Sequence, residues 1–187
     1  MILKKFLISF FSFILISSPV FADVTMDRLV NANSEPENWL THHKQLDGAR
    51  YVELNEINKF NVKNLKVAYT IPLGDVSEGA DGLGSHQSTP LVKDGYMYVT
   101  GMWDVVYKID LTGKYPNIVW TFDPENDVDV VDNPVTRGAA LWGDAVIINT
   151  EDGRVVSIDD ETGEMNWESF IATEQGEGFR AAPLVVD

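Results

Sequence analysis

The stretch SIDDETGEMNW, Ser157–Trp167, closes an apolar-polar run with an Asp, makes a Thr-Gly turn and then places a tryptophan almost at once. Tryptophan is costly to leave in water, so a Trp directly after a turn calls for a partner surface. The segment KIDLTGKYPNIVW, Lys108–Trp120, repeats the order of strand, Asp, Thr-Gly and Trp. Around both lie short β-branched or aromatic runs: Thr89–Gly101, Asp104–Asp110, Ile118–Asp123, Ala140–Thr150 and Gly153–Asp159. Asp-Gly, Gly-Asp and Thr-Gly turns separate them. Helical patterning is confined to Thr25–Asn33 and Glu53–Phe60, so the chain reads as all-β.

The runs recur as units. Pro90-Leu91-Val92 returns as Ala140-Leu141-Trp142 and again as Pro183-Leu184-Val185, Asp110 as Asp159, and Trp120 as Trp167, with a period of 43 to 50 residues. That is the length of one four-stranded propeller blade. A blade cannot bury both of its faces alone, so a large flat side chain at a fixed place in each repeat suits packing against the next blade. Trp120 and Trp167 are the expected docking residues, and Trp39, Trp103 and Trp142 are expected in the core or between blades.

Met1–Ala22 carries Lys4 and Lys5, an apolar run and a Val20-Phe21-Ala22 cut, the pattern of a cleaved secretory signal peptide. The apolar run is shorter than the roughly 20 residues of a membrane span, and no Cys follows it to anchor a lipid. The net charge is -15, and loss of Lys4 and Lys5 brings it to -17. Such acidity excludes nucleic acid and anionic lipid as partners; it either attracts a basic soluble partner or serves solubility alone. Without cysteine no disulfide holds the fold, and stability must come from core burial.

The repeat resembles the tryptophan-docking motif of the pyrroloquinoline quinone (PQQ) dependent dehydrogenases, which are eight-bladed β-propellers. NWLTHHKQLDGARYVELNEINKFNVKNLKVAYT, Asn38–Thr70, is similar to that family's segment before the first blade, with its Asn-Trp, Arg-Tyr, Ile-Asn and Val-Lys-Asn-Leu-Lys-Val-Ala matches. After the signal pattern at 1–22, the resemblance implies an N-terminal lead-in segment at 23–65 and propeller blades over 66–187. An eight-bladed propeller needs about 360 residues at about 45 per blade. The mature chain has 165, so the expectation is an N-terminal part holding the first two to three blades and inactive alone.

The resemblance further implies a periplasmic enzyme that oxidises an alcohol, polyol or sugar by hydride transfer to PQQ. Electrons then pass to a cytochrome c or a quinone, and a homodimer is allowed. A calcium or lanthanide ion would polarise the quinone oxygen, and a carboxylate would take the hydroxyl proton. Both the metal ligands and that base are expected after Asp187, so no catalytic and no metal residue is assigned here. Arg137 in VTRGAAL matches an arginine close to the cofactor, and its guanidinium suits a carboxylate or quinone oxygen. Thr150 in INTEDG matches a threonine that donates to the cofactor, and Gln87 stands where alcohol-oxidising members have a cofactor-contacting glutamate. Val131-Asp132 replaces the adjacent cysteines that cover the PQQ ring in many members.

Alternatives stay open at this point. Arg137 can serve a surface ion pair and Thr150 ordinary turn chemistry. The whole propeller can be a non-catalytic assembly scaffold, or a paralogue that no longer binds PQQ. His42-His43 is expected in a solvated loop with the two rings pointing apart, and His86 in a loop. The acidic Asp123–Asp132 lacks the glycine and closing glutamate of an EF-hand loop. Gly82–Gly84 is expected to be a plain turn.

Overall fold

The computed structural model describes residues 23–74, 85–127, 129–131, 135–172 and 177–186. The expected signal peptide, Gly82–Gly84 and Asp132 lie outside them. The strands are β1 (Ser85–His86), β2 (Leu91–Lys93), β3 (Tyr96–Thr100), β4 (Val106–Asp110), β5 (Asn117–Phe122), β6 (Val135–Thr136), β7 (Ala140–Trp142), β8 (Ala145–Asn149), β9 (Arg154–Asp159) and β10 (Met165–Phe170).

β2 to β5 form one four-stranded antiparallel meander and β7 to β10 a second, the two blades that the repeat predicts. Each hairpin follows from its turn residues. In Asp94-Gly95 both residues have positive φ, 51° and 88°, the twist that fits a two-residue hairpin. The Asp of each Asp/Thr-Gly turn is the acceptor that shapes it. Asp110 Oδ1 accepts from Thr112 N and Oγ1, both at 2.7 Å, and Asp159 Oδ1 accepts from Thr162 N at 2.7 Å and Oγ1 at 2.8 Å. β1 and β6 pair in parallel, Ser85 with Val135 and His86 with Thr136, which ties the approach to one blade to the approach to the next.

The core runs across both blades. Leu91, Tyr98 and Val106 of the first join Leu141, Val146, Ile148, Val156 and Ile158 of the second, with Val24, Leu29 and Leu40 of the N-terminal segment closing the cluster and Trp39 and Trp142 packed at its margin. That segment is also stitched to each blade through the backbone, Val24 to Gly143 and Trp39 to Val92. Lys44, only 1% exposed, donates to the carbonyls of Ala32, Glu35 and Asn38 at 2.6 to 2.9 Å, and burial lowers its pKa. Three carbonyl oxygens thereby replace the water shell that a buried ammonium must give up.

Trp120 answers the demand for a partner surface. Its Nε1 donates to the Asp160 carbonyl of the second blade at 2.9 Å, and its indole lies against Gly163 so closely that a Cβ there would sit 2.7 Å from ring carbons. The carboxylate of Asp160 then reaches back into the first blade, where Lys93, Tyr98 and Lys108 all donate to it. Burial would raise this carboxyl, but the three donors outweigh burial and hold it below the usual carboxylate range. Trp167, the repeat-mate of Trp120, is 49% exposed on β10, and the described residues bring no blade over it. Trp103 sits in the β3–β4 turn with φ 59°, outside the core cluster.

The helical expectations divide. Thr25–Asn33 contains α1 (Met26–Val30), capped by the Thr25 side chain, followed by a 3-10 turn. Glu53–Phe60 is not helical. Asn58 N donates to Asn61 Oδ1 at 2.8 Å, Phe60 N to Asn58 Oδ1 at 3.0 Å, and Asn61 Nδ2 to Glu56 O at 2.6 Å. These side chains take the backbone groups that a helix needs, the usual way in which asparagine breaks helical runs.

Candidate functional site

The site grows from the turn between β8 and β9. Thr150 Oγ1 donates to Asp152 Oδ1 at 2.5 Å and accepts from Arg154 N at 2.9 Å, which closes the turn. Arg154 holds Asp152 at 2.6 Å and Glu168 at 2.9 Å. From the first blade, Asp104 Oδ2 accepts from Glu151 N at 2.9 Å and from Asn126 Nδ2 at 2.8 Å, so one carboxylate pins the β3–β4 turn to the β8–β9 turn. Trp103 and Asp104 both occupy the left-handed region, φ 59° and 60°, a costly backbone for such residues that the pinned carboxylate holds in place. Burial pushes Asp104 up to about 6.

A returning segment, 177–181, lies on this turn. Phe179 N donates to Thr150 O at 3.1 Å, and Asn149 Nδ2 donates to Ala181 O at 3.1 Å. Gly178 permits the approach, since a Cβ on it would fall 2.1 Å from Glu151 O. The result is an ion pair between Arg180 Nε and Glu151 Oε1 at 2.9 Å, in which the acid is 4% exposed. The same Oε1 accepts from Val135 N at 2.9 Å, while Oε2 is buried without a hydrogen-bond partner. Burial raises the Glu151 carboxyl in spite of these donors.

Arg137 follows β6, and its Nε donates to Gln87 Oε1 at 3.3 Å across the β1–β6 junction. Arg137, Arg180, Glu151, Gly178 and Val131 together line a cavity of about 330 Å³. That volume falls at the small end of ligand sites, roughly 300 to 1,000 Å³. Arg137 and Arg180 bring two guanidinium groups to this cavity, Glu151 a carboxylate and Val131 an apolar side chain.

The structure thus brings together two of the three expected site residues, Arg137 and Gln87. Thr150 is fully buried with its hydroxyl hydrogen on Asp152, and the residue of its turn that faces the cavity is Glu151. Glu151 and Arg180 escape sequence reasoning because they meet only through the returning segment. His42 and His43 lie in a loop as expected, yet their rings do not point apart. They contact edge-on at 4.6 Å between centroids, and Arg50 bonds His43 Nδ1 at 2.8 Å and meets His42 Nε2 at 3.0 Å. The chain is not extended there, so the strand alternation does not apply. In Asp123–Asp132, Asp123 and Asp127 accept from the backbone of Glu125 and Asp129 as turn acceptors. Among the described residues no three His, Cys, Asp or Glu side chains form a metal-binding group.

Residues 39–175 match the family model of the PQQ glucose/ethanol/alcohol dehydrogenase beta-propeller domain. The chain belongs to this family. Its PQQ propeller relatives include the dehydrogenase subunit of alcohol dehydrogenase (quinone) from Gluconacetobacter polyoxogenes, 36% identical over 76% of this chain and 19% of that protein. The solved quinohemoprotein alcohol dehydrogenase of Pseudomonas putida superposes with a TM-score of 0.78 at 31% identity, over 91% of this chain and 24% of that one. A europium-containing methanol dehydrogenase gives 0.74 at 33% identity, over 86% and 28%. The chain therefore spans between about a fifth and just over a quarter of these PQQ-propeller proteins.

Proposed function

We propose that this chain supplies one wall of the cofactor pocket of a periplasmic PQQ-dependent dehydrogenase acting on an alcohol, with polyols and sugars as the neighbouring substrate classes. The observation that carries this reading is the cavity that Arg137 and Arg180 both line, because PQQ is a flat tricarboxylate and guanidinium groups are the side chains suited to carboxylate edges. The lining fits the group: two cations for carboxylates and Val131 for the ring, with Gln87 behind Arg137 as the acceptor of its Nε. When bound, PQQ supplies an ortho-quinone able to accept a hydride. The residues of this chain bind and orient it. Arg137, tethered to Gln87 through Nε, offers its remaining N–H groups to a carboxylate. Asp104 and Thr150 fix the turn that carries Glu151. Electron delivery to a cytochrome c or quinone, and a calcium or lanthanide ion held by residues of a later segment, belong to the same proposal, as does export by a cleaved signal peptide. The relatives quoted are dehydrogenases by name, which favours an enzyme over a scaffold.

Titration of the full-length protein with PQQ, followed by fluorescence quenching, tests the reading. Saturable binding that weakens by about one to two decades in Arg137→Ala is expected, the loss of a charge-assisted hydrogen bond. Absence of PQQ binding by the parent, or unchanged binding by Arg137→Ala, refutes it.

A further inference from the structure

The ion pair between Arg180 and Glu151 is lopsided in a way that a surface salt bridge is not. The acid is 4% exposed while the arginine side chain is 44% exposed and lines the cavity. A buried carboxylate gives up its hydration, and such a residue is retained where it fixes a partner's position. Glu151 is itself fixed twice through its backbone and side chain, by Asp104 Oδ2 on its N–H and by Val135 N on its Oε1. The closest approach of Arg180 to Glu151 is at its inner nitrogen, Nε to Oε1 at 2.9 Å. Arg137 is held in the same manner, at Nε by Gln87. Two arginines on separate chain segments thus line one cavity and are each held at the inner nitrogen, and a guanidinium held there has its terminal N–H pair to offer a carboxylate end-on.

Resting on the PQQ reading above, we infer that Arg180 is a second ligand-binding guanidinium of this cavity, positioned by buried Glu151, and takes a different carboxylate from the one taken by Arg137. The pocket then recognises its ligand as a polycarboxylate, by two forks at once. Glu151 acts as a positioning residue, since its carboxylate holds Arg180 at Nε. Net charge at the cavity remains positive, two guanidiniums against one carboxylate, as anion binding requires.

The test compares PQQ with its trimethyl ester, which keeps the rings and loses the carboxylate charges. Dissociation constants are measured on the full-length protein for the parent, Arg180→Ala, Arg180→Lys, Glu151→Gln and Arg137→Ala, with thermal midpoints alongside. Arg180→Ala should weaken PQQ by about ten- to a hundredfold and the ester little, and Arg180→Lys should recover part of the loss. Glu151→Gln, which keeps an acceptor for Val135 N, should weaken PQQ several-fold and leave the ester unaffected. Arg180→Ala binding PQQ like the parent while Arg137→Ala is impaired overturns the inference and leaves the cofactor pocket standing. Equal losses for PQQ and ester also overturn it, since the effect would not pass through a carboxylate. If Arg137→Ala is unimpaired as well, the pocket reading itself falls and takes the inference with it.

Discussion

Trp120 of the first blade lies against Gly163 of the second, the indole filling the space where any side chain at Gly163 would project. Gly163 has φ +75°, so alanine there meets both a strained backbone and the indole. Gly163→Ala is expected to cost about 1 to 3 kcal/mol. Trp120→Ala, which opens a cavity at the same joint and frees the Asp160 carbonyl, should cost roughly 3 kcal/mol. Thermal unfolding of each variant and of the double variant checks the pair. Contact predicts that the double loss is smaller than the sum, and strict additivity would mean that the two residues do not share a joint.

Asp160 binds two blades with charge as Trp120 does with area. Replacing it with alanine leaves Lys93 and Lys108 buried without their shared counter-ion, an expected loss of about 3 to 5 kcal/mol. The pH dependence has a definite sign. A carboxyl held below its unfolded value stabilises the fold above that value and loses its contribution as pH falls through the folded one. The parent should therefore lose stability below about pH 4 more steeply than Asp160→Asn. Parallel acid profiles for the two proteins would remove Asp160 from the account of blade docking.

What was legible in the sequence is what folds locally. Asp110 with Thr112 and Asp159 with Thr162 lie two or three residues apart, so the turns could be read from spacing alone. The repeat likewise exposed the blades. It gave Trp120 and Trp167 equal standing, however, because only the facing surface distinguishes a docked tryptophan from one that is half exposed. In the run Asp159-Asp160-Glu161, spacing could not reveal that the middle acid alone is the inter-blade anchor, since its partners Lys93, Tyr98 and Lys108 lie 67, 62 and 52 residues away. The pocket divides in the same way. Arg137 and Gln87 carried a motif, whereas Glu151 and Arg180 become a pair only once segment 177–181 lies on the β8–β9 turn. At Glu53–Phe60 the apolar spacing suggested a helix, and asparagine side chains bonding the backbone overruled it.

Asp104 has the opposite sign to Asp160. Its pKa rises on folding from 3.8 to about 6, through burial and the neighbouring Glu151, so the folded state favours the protonated form. Its contribution is fully present at low pH and is lost as pH rises through about 6. Two pKa units correspond to about 3 kcal/mol. Asp104→Asn keeps an acceptor for Glu151 N and cannot ionise. Measured against the parent by chemical denaturation, it should gain about 2 to 3 kcal/mol between pH 4 and pH 7. A difference independent of pH would show that Asp104 ionises normally within its hydrogen bonds.

Gly178 tests the pocket without touching any side chain that faces a ligand. Its backbone passes so near the β8–β9 turn that a Cβ would lie 2.1 Å from Glu151 O and 2.9 Å from the carbonyl carbon, both rigid backbone atoms. Gly178→Ala must therefore lift segment 177–181 from the turn, break the bond from Phe179 N to Thr150 O and carry Arg180 away from Glu151. The core clusters elsewhere, around Val106, Val146 and Ile158, so the global unfolding midpoint should change little. PQQ affinity should fall by about tenfold, the loss of one charge-assisted contact. Hydrogen exchange at the Phe179 amide should rise at the same time, because a surface segment opens locally without global unfolding. Unchanged affinity together with a fast-exchanging Phe179 amide would show that the segment moves yet the ligand does not depend on it, and the second arginine would then have no part in binding.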